Sequence, residues 1–212
     1  MDLSEMRETY GLGELLEDQV DADPIVQFGL WLAQATEAGL TEPNAMVLAT
    51  ADSDGKPSAR TVLLKGLDER GFVFYTNQQS RKAEDLAVNP YCALVFPWHT
   101  MERQVRVEGT ATKLPAAEVD AYFASRPRGS QLGAWASQQS QPVETREELD
   151  LQYASYERQW PEGTEISTPY FWGGYRVQPT NVEFWQGRTG RLHDRLNYFR
   201  QDGSWKLRRL QP

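Results

Sequence analysis

AMVLATADSDGKPSARTVLLKGLDERGFVFYT, residues 45–76, alternates short β-forming runs with turn residues. Ala45 to Thr50, Ser58 to Lys65 and Gly71 to Thr76 read as strands, and Asp52-Ser53-Asp54-Gly55 reads as a tight turn between the first two. The pattern continues outward through Tyr91 to Phe96 and Gln104 to Thr112. It returns in the last third as Asn181 to Gln186, Arg191 to Arg200 and Ser204 to Leu210. Asp202-Gly203, between the last two runs, is a strong hairpin signal. Strands that follow one another through turns, without crossover helices, predict an antiparallel sheet closed as a barrel or packed as a sandwich. A Rossmann-type parallel sheet is disfavoured.

Helices flank this sheet. Asp23-Pro24 supplies an N-cap and first-turn pair, and Ile25, Phe28, Trp31, Leu32 and Ala35 follow at helical spacing until Gly39. A short helix is expected over Ala83 to Val88, and longer ones over Pro115 to Ser125 and around Glu144 to Trp160. In the last of these Leu149, Tyr153, Tyr156 and Trp160 mark one face. The fold class is therefore mainly β with flanking helices (α+β).

With 212 residues, 40% of them hydrophobic, the chain suffices for one globular domain with a real core. No repeat, low-complexity tract or Gly/Ser linker divides it. Residues 1–20 are expected to be a flexible N-terminal segment and residues 21–212 a single domain. The formal charge of -8 opposes a sequence-independent grip on nucleic acid or on an anionic membrane, since both need an excess of Lys and Arg. An anionic ligand must then be met by a local cationic pocket. Cys92 is the single cysteine, so no intrachain disulfide and no zinc-type Cys/His cluster is expected. The acidic N-terminus lacks the apolar core of a signal peptide, and no apolar run is long enough to span a bilayer. A soluble protein of the reducing cytoplasm is expected.

Four clusters could carry chemistry. Ser80-Arg81-Lys82 opens the short helix after Tyr75 and Thr76, and two cations in a first turn oppose the helix dipole unless something negative lies near. A phosphate there would accept backbone N–H bonds and both charges; a solvated basic turn paired with Glu84 or Asp85 is the plain alternative. Arg60-Thr61-Val62-Leu63-Leu64-Lys65 carries a cation at either end, although strand-end cations usually reach water. Tyr122, Arg126 and Ser130 recur at a spacing of four across a helix end and Pro127, where Arg could fork onto phosphate oxygens, or merely close the helix. Trp185 is followed on the next strand by Arg191-Leu192-His193-Asp194-Arg195. Strand alternation would stack Arg191, His193 and Arg195 on one face, an arrangement that calls for an anion or an electron-rich ring, or for a solvent-facing edge. No GxGxxG after a strand, GxxxxGK[ST], HExxH or GxSxG is present, so dinucleotide, P-loop, zincin and serine-hydrolase readings lack motif support.

These residues resemble a known family. Val182-Glu183-Phe184-Trp185-Gln186, then Arg191-Leu192-His193-Asp194-Arg195, is similar to the C-terminal signature of pyridoxine/pyridoxamine 5'-phosphate oxidases. The likeness extends in family order through RTVLLK (60–65), Phe74 to Asn77, Ser80 to Lys82, Phe96 to Thr100, Glu102 to Val105, Ser125 to Arg128 and Phe171 to Gly174. The resemblance implies a split β-barrel of the FMN-binding type, a homodimer with sites at the interface between subunits, and a C-terminal region serving dimerisation and substrate. It implies FMN contacts from Arg60, Thr61, Val62, Leu63, Leu64, Lys65, Tyr75, Thr76, Arg81, Lys82, Gln104, Gln139, Ser140, Trp185 and Arg195. Substrate contacts would come from Lys65, Tyr122, Arg126 and Ser130 at the phosphate, from Arg191, Leu192 and His193 at the ring, and from Arg7 and Tyr10 in a covering N-terminal segment. Arg191 and His193 would be the catalytic pair, and no metal is implied.

The implied reaction oxidises pyridoxamine or pyridoxine 5'-phosphate to pyridoxal 5'-phosphate by hydride transfer from C4' to FMN. Oxygen accepts the electrons as hydrogen peroxide, and the amine substrate also releases ammonia. Two rivals stand beside it: a split-barrel flavin oxidoreductase acting on another small molecule, which would have no use for Tyr122, Arg126 and Ser130 together, and a non-catalytic FMN- or pyridoxal phosphate-binding protein.

Overall fold

The computed structural model describes residues 3–5 and 8–212. Nine strands form one antiparallel sheet: β1 (Ala45–Ala51), β2 (Pro57–Leu63), β3 (Gly66–Asp68), β4 (Gly71–Asn77), β5 (Tyr91–Trp98), β6 (Arg103–Lys113), β7 (Trp172–Gln186), β8 (Asp194–Gln201) and β9 (Ser204–Arg209). The main path runs β2-β1-β5-β6-β7-β4-β3. Its two ends, β2 and β3, are separated in sequence by Leu64 and Lys65 alone, so the path must curl back on itself. Leu64 N–H donates to the Asn44 carbonyl on one side of that junction and Lys65 N–H to the Val73 carbonyl on the other. The barrel-or-sandwich expectation resolves to a curled, split barrel.

The split lies along β7. Its first half pairs with β4, from Asn77↔Trp172 to Phe72↔Val177, and its second half pairs on the same edge with β8, from Asn181↔Phe199 to Gln186↔Asp194. Pro179 has no N–H to give to a ladder, so it fits the bend between the halves. Opposite it the β6 register shifts between Glu108 and Gly109. Only glycine fits at 109: a Cβ there would lie 2.3 Å from the Gln178 carbonyl oxygen.

Among the described residues there are five α-helices: α1 (Pro24–Glu37), α2 (Arg81–Val88), α3 (Ala116–Ser125), α4 (Arg128–Ala136) and α5 (Arg146–Gln159). Asp23 caps α1 by accepting the Ile25 N–H at 2.8 Å. The apolar stripe of α1 then seals the barrel interior. Phe28, 0% exposed, meets Phe72 edge-on at 5.0 Å and Phe96 at 4.6 Å, and Trp31 meets Phe184 at 5.1 Å. A second, smaller core gathers Phe123, Leu132 and Ile166 with Trp135, Tyr153, Tyr156 and Trp160, holding α3, α4 and α5 together outside the barrel. Arg128 ties this unit by donating to the carbonyls of Trp160, Pro161 and Thr164.

Three differences from the sequence expectation have physical causes. The strand expected from Asn181 begins at Trp172, because Gly173, Gly174 and Pro179 mask its pattern. The helix α4 was not anticipated; Pro127 ends α3 and starts α4 at once. The strand expected from Arg191 begins at Asp194, because Gly190 and Arg191 take left-handed conformations at φ 65° and 61°. Arg191 and His193 therefore do not share a strand face with Arg195. Within the stretch 1–20, residues 11–17 are tied to the barrel: Leu15 is buried in the core, Gly11 and Leu12 donate to the Glu102 carboxylate, and Arg209 holds Glu17. Phe28→Ala, which empties the seal of the barrel, is predicted to cost roughly 3–5 kcal/mol of stability in denaturant unfolding; a loss below about 1 kcal/mol would place the core elsewhere.

Candidate functional site

Two clefts collect most of the expected residues. The first, about 460 Å³, opens where β2, β4, α2 and the α3–α4 junction meet. β2 and the junction after it supply Arg60, Thr61, Val62, Leu63 and Lys65; β4 supplies Tyr75 and Thr76; α2 supplies Lys82. The other wall is Tyr122, Arg126 and Ser130, with Gln139 and Trp172. The period of four that joined Tyr122, Arg126 and Ser130 in the sequence survives the break at Pro127, since all three line the same wall.

This cleft is cationic, and its Arg60, Lys82 and Arg126 are partly or wholly buried. Lys82 is 7% exposed; its Nζ donates to Gln139 Oε1 at 2.7 Å, Thr76 Oγ1 at 3.1 Å and Ser80 Oγ at 3.2 Å. None of those acceptors carries charge, and burial, with Arg60 adding to it, pulls the Lys82 pKa down to about 8. Burial also lowers the pKa of Arg60, with Asp85 opposing and Arg81 reinforcing, and lowers that of Arg126, with Tyr122 opposing. Arg126 Nη1 is buried with no hydrogen-bond partner among the described residues. Tyr75 and Tyr122 stack at 3.7 Å between ring centres, and burial raises both phenols. Three desolvated cations around one void call for an anion of matching size.

Of the two carboxylates offered as plain partners of the basic turn, Asp85 is the one that Arg81 meets. Its carboxylate, 2% exposed, accepts from Thr50 Oγ1 at 2.6 Å, meets Arg81 at 3.2 Å and lies 3.8 Å from Arg60. Its place four residues after Arg81 on one helix was the available signal. Arg81 itself lies beside the first cleft rather than in its lining, half exposed between Asp85 and Asp52. Leu64 turns into the barrel core, and Ser140 is exposed at φ 73° beyond Gln139.

The second cleft, about 750 Å³, is lined by Tyr10, Trp185, Arg188, Arg191 and His193 together with Glu8, Thr9 and Gly190. Trp185 and His193 lie 4.6 Å apart, and Tyr10 stands edge-on to both at 5.8 and 5.6 Å. Glycine at 187 permits this: a Cβ there would come 2.8 Å from the Tyr10 ring. His193 Nδ1 accepts the Arg188 N–H at 3.1 Å, which leaves Nε2 directed elsewhere. Leu192 is exposed beside it. Gln104 and Arg195 are the cross-strand neighbours of Trp185 on β6 and β8, so the three share one sheet face. Glu183 holds Arg195 through both carboxylate oxygens at 3.1 and 2.8 Å; alternation with Trp185 could have revealed it. Arg7 lies outside the described residues. Within one chain the two clefts share no lining residue. Among the described residues no cluster could hold a metal ion, and no helix is long and apolar enough to cross a membrane.

Residues 32–159 match the model of the pyridoxamine 5'-phosphate oxidase family, and residues 172–212 match that of the pyridoxine 5'-phosphate oxidase C-terminal dimerisation region. A pyridoxine/pyridoxamine 5'-phosphate oxidase of Rubrobacter xylanophilus is 61% identical over 100% of this chain and 97% of its own. One from Salinibacter ruber is 56% identical over 99% of both. Among solved structures, PhzG from Burkholderia lata 383 in complex with tetrahydrophenazine-1-carboxylic acid is 33% identical, with a TM-score of 0.89 over 95% of this chain and 100% of its own. A pyridoxamine 5'-phosphate oxidase-related, FMN-binding protein of Nostoc punctiforme shares the fold at 17% identity, TM-score 0.73, over 91% of this chain and 100% of its own.

The first cleft yields a prediction of its own. Lys82 is a cation below pH about 8 and loses its charge as pH rises through that value. Sulfate keeps its charge over this range, so the rise in Tm that it produces should shrink from pH 7 to pH 9 in the wild type and shrink much less in Lys82→Met. Equal pH dependence in both proteins would show that Lys82 takes no part in anion binding.

Proposed function

The chain belongs to the pyridoxine/pyridoxamine 5'-phosphate oxidase family, a family of FMN-dependent oxidases, and we propose that it converts pyridoxamine and pyridoxine 5'-phosphates to pyridoxal 5'-phosphate in the cytoplasm. The observation that carries this reading is the cleft holding Arg60, Lys82 and Arg126 desolvated around one void. Its donors suit two phosphates. Arg60, Thr61, Thr76 and Lys82, with Arg81 at the rim, would hold the phosphate of FMN, and Lys65, Tyr122, Arg126 and Ser130 that of the substrate. Charge-assisted bonds of this kind contribute about 1.5–3 kcal/mol each.

When bound, FMN supplies the acceptor for the hydride leaving C4' and passes the two electrons to O2, giving peroxide. The chain's own residues bind, orient and shield. Arg191 and His193 would hold the pyridine ring, with His193 fixed by the Arg188 N–H so that Nε2 faces the substrate. Tyr10 would close the cleft over them. Because one chain keeps the clefts apart, the working unit in this reading is a homodimer, each site pairing the β2–β4 cleft of one protomer with the β7–β8 cleft of its partner. The dimerisation-region match spans Trp185, Arg191, His193 and Arg195, as that arrangement requires.

A phenazine-type substrate, which the likeness to PhzG raises, would bring a planar carboxylate to Tyr122, Arg126 and Ser130, whereas donors from Lys65, Tyr122, Arg126 and Ser130 together suit the larger, more highly charged phosphate. The purified protein should therefore take up FMN, show a flavin spectrum and release peroxide with either phosphorylated vitamer. Arg191→Ala and His193→Ala should each lower kcat/KM by about tenfold or more. A protein that cannot be loaded with FMN, or that oxidises neither vitamer, overturns the assignment.

A further inference from the structure

Arg126 differs from Arg60, Arg81 and Arg195 in what holds it. Arg60 and Arg81 lean on the Asp85 carboxylate and Arg195 on Glu183. The Arg126 guanidinium instead lies over aromatic faces, 4.3 Å from the Trp172 ring centre and 5.7 Å from that of Phe123. The two rings meet edge to face at 6.0 Å and form a notch. Resting on the reading of this cleft as the site of a phosphorylated substrate, we propose that Trp172 is a positioning residue: its indole face orients Arg126 so that the guanidinium donors stay free for the substrate phosphate.

The backbone fixes both partners. Arg126 caps α3, donating its N–H to the Phe123 carbonyl, and the following Pro127 holds it extended at ψ 148°. Trp172 is the first residue of β7, registered against Asn77, and its N–H donates to the Pro169 carbonyl. The next residue has no room for a side chain, since a Cβ at Gly173 would lie 1.9 Å from the Gln78 amide nitrogen. Trp172 thus starts β7 at the wall of the cleft that it lines, with Phe123 packed edge to face against its ring.

The chemistry favours an aromatic platform over a carboxylate. A carboxylate would occupy the guanidinium N–H groups and repel an incoming phosphate. A ring face attracts the cation without accepting its in-plane hydrogens. The buried, unpartnered Arg126 Nη1 is what such a platform leaves behind. Trp172 Nε1 is buried and unpartnered as well.

The test is steady-state kinetics of FMN-loaded Trp172→Leu, Trp172→Phe and Arg126→Ala, and of the double variant Trp172→Leu/Arg126→Ala. KM for pyridoxine 5'-phosphate should rise about tenfold in Trp172→Leu and less in Trp172→Phe, whose face is the weaker one, while kcat and FMN affinity stay near wild type. In the Arg126→Ala background the Trp172→Leu change should add little. The proposal is overturned if the loss falls on kcat or FMN retention, or if it is undiminished when Arg126 is absent. Trp172→Phe carries the test should Trp172→Leu not fold, and a wild-type KM in that variant together with a normal pH profile would also count against the platform. An unchanged KM in Arg126→Ala alone would instead remove the phosphate reading of the cleft on which the proposal stands.

Discussion

Cations taken out of water among mostly neutral partners are the constraint on which the functional reading depends. Lys82 is surrounded by an amide and two hydroxyls, Arg126 by two rings, and Arg60 by hydroxyls and a carbonyl, with the Asp85 carboxylate no closer than 3.8 Å. A chain of net charge -8 has carboxylates to spare, yet the wall of this cleft carries none. Burying charge this way costs stability, and the lowered pKa of Lys82 expresses that cost. The arrangement gains sense as preorganisation: the donors are set before the anion arrives, so little reorganisation opposes binding.

The fold makes that possible by using the barrel closure as the floor of the cleft. β2 runs into β3 through Leu64 and Lys65, and the alternation there sends Leu64 into the core while Lys65 faces the void. A second structural device is β7, which changes partner from β4 to β8 midway. Its first residue, Trp172, serves the first cleft, and Trp185 near its end serves the second. One strand thus contributes to both clefts, which share no lining residue within one chain.

Much of this was legible in the sequence. The strand runs of residues 45–76 and the Asp202-Gly203 hairpin stand close to where the alternation put them, as does α1 with its Asp23 cap. The illegible parts share a cause: glycine or proline at a position where tertiary contacts, rather than local preference, set the backbone. Gly173, Gly174 and Pro179 hid the first half of β7, and Pro127 hid α4. Gly190 and a left-handed Arg191 moved the catalytic candidates off the strand that alternation had assigned them. Of the side chains that orient others, Asp85 and Glu183 had local signals in helical spacing and strand alternation, whereas Trp172 carries no signature of its own, because its role exists only once β7 meets the α3–α4 junction. The interface between copies was reachable through family resemblance but not through periodicity, which has no term for a second chain.

Subunit complementation tests most directly whether each working site joins the cationic cleft of one protomer to the Trp185/His193 cleft of its partner. Lys82→Met disables one cleft and His193→Ala the other, so each homodimer should be nearly inactive. Coexpressed chains assort at random, and each mixed dimer then holds one intact site. Activity should recover to roughly a quarter of the wild-type value. A coexpressed mixture no more active than its parents would contradict the account and place each site within a single chain.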